Sequence, residues 1–420
     1  MQKVMVENTA ANETAKSWII PFLAVIFVMM ALQMSGLGFS PLLPAIQKEF
    51  AMSFTQIGLF TGMYGLSALL LSVPGGILIK RFGEKRVLVV GLLVVILGLI
   101  MLSQAGSTGA AFGGRALWLL GYRPAFVCVM TGIALASPPS LRSRSMGING
   151  AITALAAVVG APFGSAIGED FGWRSGMIAF AAMALLGVLV FFFFYRTRSS
   201  QNPSRVNAKP EAKRPETTAG KPKGKSIFRN PVVWAIAALE GMVGVGFFNS
   251  NVYVPSSVEA VFGLKAMDAA YILSTGFIAA IFANMFFGYL MDRFDKWNVM
   301  GLMMVILIPA SLCMTSNNLL LFRIATAIVL AVGLSAAQQS YALAAGLASG
   351  SETGNVMGVV AFGTGIFGYV GPQVLGFLRD WTGGFNAGWC FVAIVAALSL
   401  IEIICLKYYL SSRKPAATVA

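Results

Sequence analysis

The chain has 420 residues, of which 57% are hydrophobic and only 11% charged, against about 25% charged in an ordinary soluble domain. It carries a formal net charge of +14 and no histidine, which excludes Ser-His-Asp catalysis, H-E-x-x-H zinc sites and imidazole proton relays. Uncharged stretches longer than the roughly 20 residues that cross a bilayer recur along it, as at 17–47, 50–79, 87–114 and 145–168, so the sequence reads as a polytopic membrane protein.

Residues 1–16 are polar and mixed in charge and form the expected cytoplasmic N-terminal tail. The span after them is too long for a signal-peptide core, so no cleaved signal is expected. Twelve transmembrane helices follow, at about 18–41, 54–79, 87–104, 110–137, 145–168, 174–195, 232–256, 268–290, 298–316, 318–345, 355–378 and 386–409. The first six belong to a bundle at 17–195 and the last six to a bundle at 231–410. Between them, 196–230 holds ten Lys and Arg against Glu211 and Glu216, and a surplus of Pro, Ser, Asn and Thr. Such a composition buries too little apolar surface to fold and reads as a solvated linker. This one segment carries a net +8 of the +14, so the charge marks topology and not nucleic acid. Residues 411–420 form the C-terminal tail.

An even number of spans puts both termini on one side of a cell membrane. With that side cytoplasmic, the inner segments hold 23 Lys and Arg and the outer loops four, Lys48, Arg174, Lys265 and Arg379. The excess of positive charge inside sets N-in, C-in. The four cysteines, Cys128, Cys313, Cys390 and Cys405, stand singly in apolar stretches without the spacing of a metal or redox site. They read as small packing residues, and neither a metal nor a cofactor is expected.

The halves repeat each other. Gly76 and Arg81 match Gly288 and Arg293, Arg115 matches Arg323, Met146-Gly147 matches Met357-Gly358, Pro162 matches Pro372 and Asp170 matches Asp380, all at a shift of 208 to 212. The segment Gly76-Ile-Leu-Ile-Lys80-Arg81-Phe82-Gly83-Glu84-Lys85-Arg86, its second copy Gly288-Tyr-Leu-Met-Asp292-Arg293, the pair Arg115 and Gly121, and Gly160-Ala161-Pro162-Phe163-Gly164 resemble the motifs of the major facilitator superfamily. The first loop has Lys80 where that family has an acid, while Asp292 retains it in the second. The resemblance implies an all-α fold of two six-helix repeats that rock around a central cavity, with substrate bound near the midplane. It also implies a gating role for Lys80, Arg81, Asp292, Arg293 and Arg323.

The ionisable groups inside spans are few, and each is expensive in lipid, at least ~2.5 kcal/mol on insertion scales. Arg123, mid-span four, is the expected substrate contact, because its planar fork grips a carboxylate, sulfonate or phosphate with two hydrogen bonds; a structural pairing with helix carbonyls or an acid is the alternative. Arg115, eight residues earlier on the same helix, is shared between binding and gating. Glu240, well inside span seven, is the expected proton carrier, since a desolvated carboxylate favours taking up a proton; a permanent ion pair with an arginine is the alternative. Glu402 is expected near the inner interface and solvated. Gln33, Tyr64, Asn249, Asn251, Gln338, Gln339, Tyr341 and Tyr369 are uncharged groups able to orient a polar ligand, or to bond between helices.

No residue is expected to be catalytic. The function expected is secondary active transport of a small, anionic organic solute by proton symport, with the solute, protons and the lipid bilayer as partners and no nucleic acid. The alternatives are proton-driven efflux of amphipathic or cationic compounds, with Glu240 receiving the cation, and a non-transporting membrane sensor or scaffold.

Overall fold

In the structure, a computed structural model, residues 23–136, 142–194, 230–345 and 353–412 are described. The expected N-terminal tail, nearly all of the linker and most of the C-terminal tail lie outside them, as does the side chain of Lys80.

Among the described residues there are twelve long helices: α1 Leu23–Glu49, α2 Phe54–Phe82, α3 Glu84–Ser103, α4 Thr108–Ala136, α5 Arg142–Phe171, α6 Trp173–Phe194, α7 Pro231–Phe262, α8 Ala266–Arg293, α9 Lys296–Cys313, α10 Leu319–Ala345, α11 Thr353–Thr382 and α12 Asn386–Ser412. Helices satisfy every backbone group internally, which is why they can cross hydrocarbon. Eleven are long and apolar enough to span a membrane; α4, which carries Arg115 and Arg123, is not among them. Its arginines are turned against protein and are 1% and 9% exposed.

Local sequence sets the ends. Ser53 caps α2 by accepting from Gln56 N–H at 3.1 Å while the Gln56 side chain accepts from Ser53 N–H at 2.9 Å. Asn230 accepts from Val232 N–H at 3.1 Å ahead of Pro231, the first residue of α7. Helix α7 stops at Gly263, whose φ of 67° suits the left-handed position after a helix.

Two boundaries differ from expectation. The sequence places the end of the first span near 41, but a 3-10 turn at Ser40–Leu42 carries α1 on to Glu49; Pro41 and Pro44 sit at the starts of these pieces, where a missing N–H costs nothing. It places the end of span seven near 256, yet α7 continues through Pro255 to Phe262.

Within the first half α3 packs on α4 and α6, α2 on α4, and α5 on α6. In the second, α10 packs on α7, α8 and α9, and α12 on α9 and α7. The halves meet along α2 with α11 and along α5 with α8, two pairs that exchange under the internal repeat. The end bearing residues 50–53, 104–107, 263–265 and 383–385 is termed distal, and the end bearing residues 83 and 294–295 proximal. Large apolar side chains point outward around the bundle, among them Leu93, Phe193, Phe282, Met285 and Ile404, as a surface bathed in lipid requires.

Candidate functional site

On the first-half side, α4 presents Tyr122 and Arg123 inward. The Arg123 guanidinium lies 5.0 Å from the Tyr64 ring and 5.6 Å from the Phe126 ring. Its Nη2 reaches the Tyr64 carbonyl at 3.4 Å, while the buried Nε has no hydrogen-bond partner. Tyr122 stands edge-on to Tyr64 at 5.6 Å and donates its hydroxyl to Gln33 Oε1. Gln33, Tyr64, Tyr122 and Arg123 therefore form one cluster drawn from α1, α2 and α4. No carboxylate among the described residues lies within 4 Å of Arg123; the ion pairs there are Lys48–Glu259, Arg174–Glu49 and Lys407–Asp295.

On the second-half side, Glu240 of α7 is 2% exposed and accepts a hydrogen bond from Thr364 Oγ1 of α11. Thr364 lies 3.2 Å from the hydroxyl of Tyr341 on α10. Three helices thus share one polar junction. The junction rests on close packing: a Cβ at Gly363 would sit 1.7 Å from the Ala237 carbonyl.

Between the halves lies a cavity of about 40 Å³. It is lined by Tyr64, Arg115, Phe248, Asn251 and Gly368, among others. A water needs roughly 10–15 Å³, so the space is large enough for waters and too small for an organic solute. Arg115 sits at its wall, with its guanidinium 4.1 Å from the Trp118 ring, 4.4 Å from Phe39 and 5.5 Å from Phe60. Its Nε and Nη1 have no hydrogen-bond partner. Ring faces hold a cation by their quadrupole but accept few of its hydrogen bonds, so both guanidiniums keep unused donors.

The other expected residues are scattered. Asn251 accepts from Ser40 Oγ at 2.6 Å, and Asn249 donates to the Val245 carbonyl at 2.9 Å with its Oδ1 unpartnered. Tyr369 is half-buried where α11 crosses Gly62. Gln338 is exposed, and Gln339 is half-buried and faces Gly288 of α8. Arg81, Asp292 and Arg293 are exposed at the proximal end, the arginines over Phe82 and Tyr289 of their own helices. Arg323 is exposed although its repeat mate Arg115 is buried. Glu402 is half-buried, with its Oε2 shielded and unpartnered, and not the solvated group expected. Tyr122 and Thr364 were missed; the first adjoins Arg123 and the second stands between Gly363 and Gly365, signals visible only once the neighbours are known to matter.

The sequence pattern of the Major Facilitator Superfamily matches residues 22–273 and 239–420. A protein of Agrobacterium vitis named "Putative tartrate transporter" is 24% identical over 91% of this chain and 88% of its own length. The "Uncharacterized transporter YybO" of Bacillus subtilis (strain 168) is 26% identical over 85% of this chain and 86% of its own. Among solved structures, a bacterial homologue of the human lysosomal transporter Spinster, inward-facing and occupied, superposes with a TM-score of 0.78 at 15% identity, covering 94% of this chain and 98% of that one. A mutant form of the nucleoside transporter NupG superposes at 0.71 and 13% identity, covering 92% and 99%.

Proposed function

The chain belongs to the Major Facilitator Superfamily and is a multi-pass membrane transporter of that type, not an enzyme; from this premise we propose that it moves a small organic anion across the cell membrane by proton symport. The observation that carries the reading is the Arg123 guanidinium, buried against Tyr64, a residue of the cavity wall, with an unused Nε donor and, among the described residues, no carboxylate within 4 Å. A buried donor left unpaired costs about 1–3 kcal/mol, more when charged, and a carboxylate reaching Arg123 as the halves part would recover that cost through a two-pronged bond. Tyr64, Tyr122 and Gln33 orient the group that receives it. The name of the Agrobacterium vitis relative adds a hydroxydicarboxylate to the candidate substrates.

Glu240 serves as the proton carrier. As a carboxylate it accepts only; once protonated it also donates, so each proton rearranges its bond with Thr364 and, through Thr364, the contact with Tyr341 where α7, α10 and α11 meet. A change of charge becomes a change in how three helices hold one another. The efflux alternative, in which Glu240 receives a cationic solute, is less supported by a carboxylate that is 2% exposed. The charge distribution supports cytoplasmic termini, with the distal end outside.

The test is uptake of radiolabelled tartrate and related dicarboxylates into proteoliposomes under an imposed pH gradient. Arg123→Ala abolishes uptake, and Arg123→Lys restores only part of it, because an ammonium cannot grip a carboxylate with two parallel bonds. Glu240→Gln loses gradient-driven accumulation while retaining exchange of substrate for substrate. Uptake that survives Arg123→Ala unchanged refutes the anion site.

A further inference from the structure

At the distal end the halves are joined by bonds that repeat themselves. Asp380, two residues before the end of α11, accepts from Phe54 N–H at 2.9 Å, from Thr55 N–H at 2.8 Å and from the Thr55 hydroxyl at 2.6 Å. Glu169, two residues before the end of α5, accepts from Met267 N–H at 2.7 Å. Thr55 and Met267 are each the second residue of their helix, α2 and α8. Each acid therefore lies on the first turn of a helix belonging to the other half, where amides lack intrahelical partners and the helix dipole is positive. The two arrangements correspond under the internal repeat at the amide, and at the acid to within one residue, since the repeat mate of Asp380 is Asp170, the neighbour of Glu169.

Between them, Ser40 donates to Asn251 at 2.6 Å and Lys48 pairs with Glu259. Both separations are 211 residues, the repeat itself, so repeat mate meets repeat mate on the pseudo-two-fold axis. The Tyr253 hydroxyl adds a contact 3.0 Å from the Phe54 carbonyl. At the proximal end Arg81, Asp292 and Arg293 make no ion pair across the halves among the described residues.

We propose that Asp380 and Glu169 are paired latches of the distal gate: they hold the distal-closed state, and both release together when the bundles rock about the axis between α1 and α7. Their exposure suits this work, because solvent-screened bonds of this kind are individually weak and a gate must open as well as shut. One latch on each side of the axis resists tilting in either direction, whereas a single latch would leave one flank free to splay. The proposal needs the chain to alternate between states, as a transporter does, but not that its solute be an anion.

The experiment places spin labels on cysteines at Ser107 and Asn317, exposed residues of the distal loops of opposite halves, with the four native cysteines replaced by alanine and the protein in nanodiscs. Double electron–electron resonance is expected to give a short-distance population in the parent. Glu169→Gln and Asp380→Asn each raise a longer-distance population severalfold, and the double variant raises it further. A distance distribution unchanged in the double variant overturns the proposal. If that variant is poorly folded, the two single variants decide instead, and a distance distribution unchanged in both overturns the proposal equally. Neither readout involves substrate, so failure here leaves the anion site standing and loss of the anion site leaves the latches standing.

Discussion

Arg115 and Arg123 share a helix and a chemistry, and their surroundings separate them. Arg115 is enclosed by three rings and is 1% exposed, which suits a fixed element of the wall; Arg123 touches two rings and one carbonyl and keeps an unpartnered Nε donor. Their presence was legible in the sequence because charge is rare in apolar spans, and so was Glu240. Their partners were not, because Tyr122 and Thr364 differ in no pattern from other polar residues in spans, and only the rotation of each helix decides which of them meet. The same rotation buries Arg115 and exposes its repeat mate Arg323. Thr364→Val removes the donor to Glu240 at almost constant volume. We expect gradient-driven accumulation to fall while substrate exchange persists, with Thr364→Ser keeping both, as transport assays on matched proteoliposomes would register. Equal behaviour of the Val and Ser variants would detach the hydroxyl from coupling.

Helices were the most legible objects in the chain, since length and apolarity mark them, and their ends were less so. The apolar pattern weakens near 41 and 256, but α1 and α7 pass their prolines because neighbouring helices enclose the backbone groups that proline disrupts. What holds α7 against α11 is the absence of a side chain: Gly363 lets the backbones approach until no Cβ fits against Ala237. A leucine at 363 would drive α11 away from α7 and pull Thr364 off Glu240. The Gly363→Leu variant should melt several degrees lower and lose coupled uptake, whereas Gly76→Leu, where a new Cβ meets nothing within 4 Å, should do neither. A thermal-shift comparison of the two detergent-solubilised proteins checks it.

Duplication was legible in five landmarks at a common shift, and the exchange of α2–α11 with α5–α8 in the structure follows that relation. The distal contacts were not foretold, because acids and amides at helix ends carry no hydropathy signal and their pairing depends on how the halves are set together. Where Lys48 faces Glu259 across the axis, the molecule also preserves a constraint on its own descent. In a dimer of identical six-helix subunits, a residue on the two-fold axis confronts its own copy, and a lysine there would repel a lysine. Joining the copies into one chain freed the two positions to diverge into opposite charges. Glu259→Lys restores the forbidden like-with-like arrangement and should favour the distal-open state in the spin-label measurement, while the exchange Lys48→Glu with Glu259→Lys should recover the parent distances. Ancestry, in this protein, is written as a salt bridge that no symmetric assembly could have made.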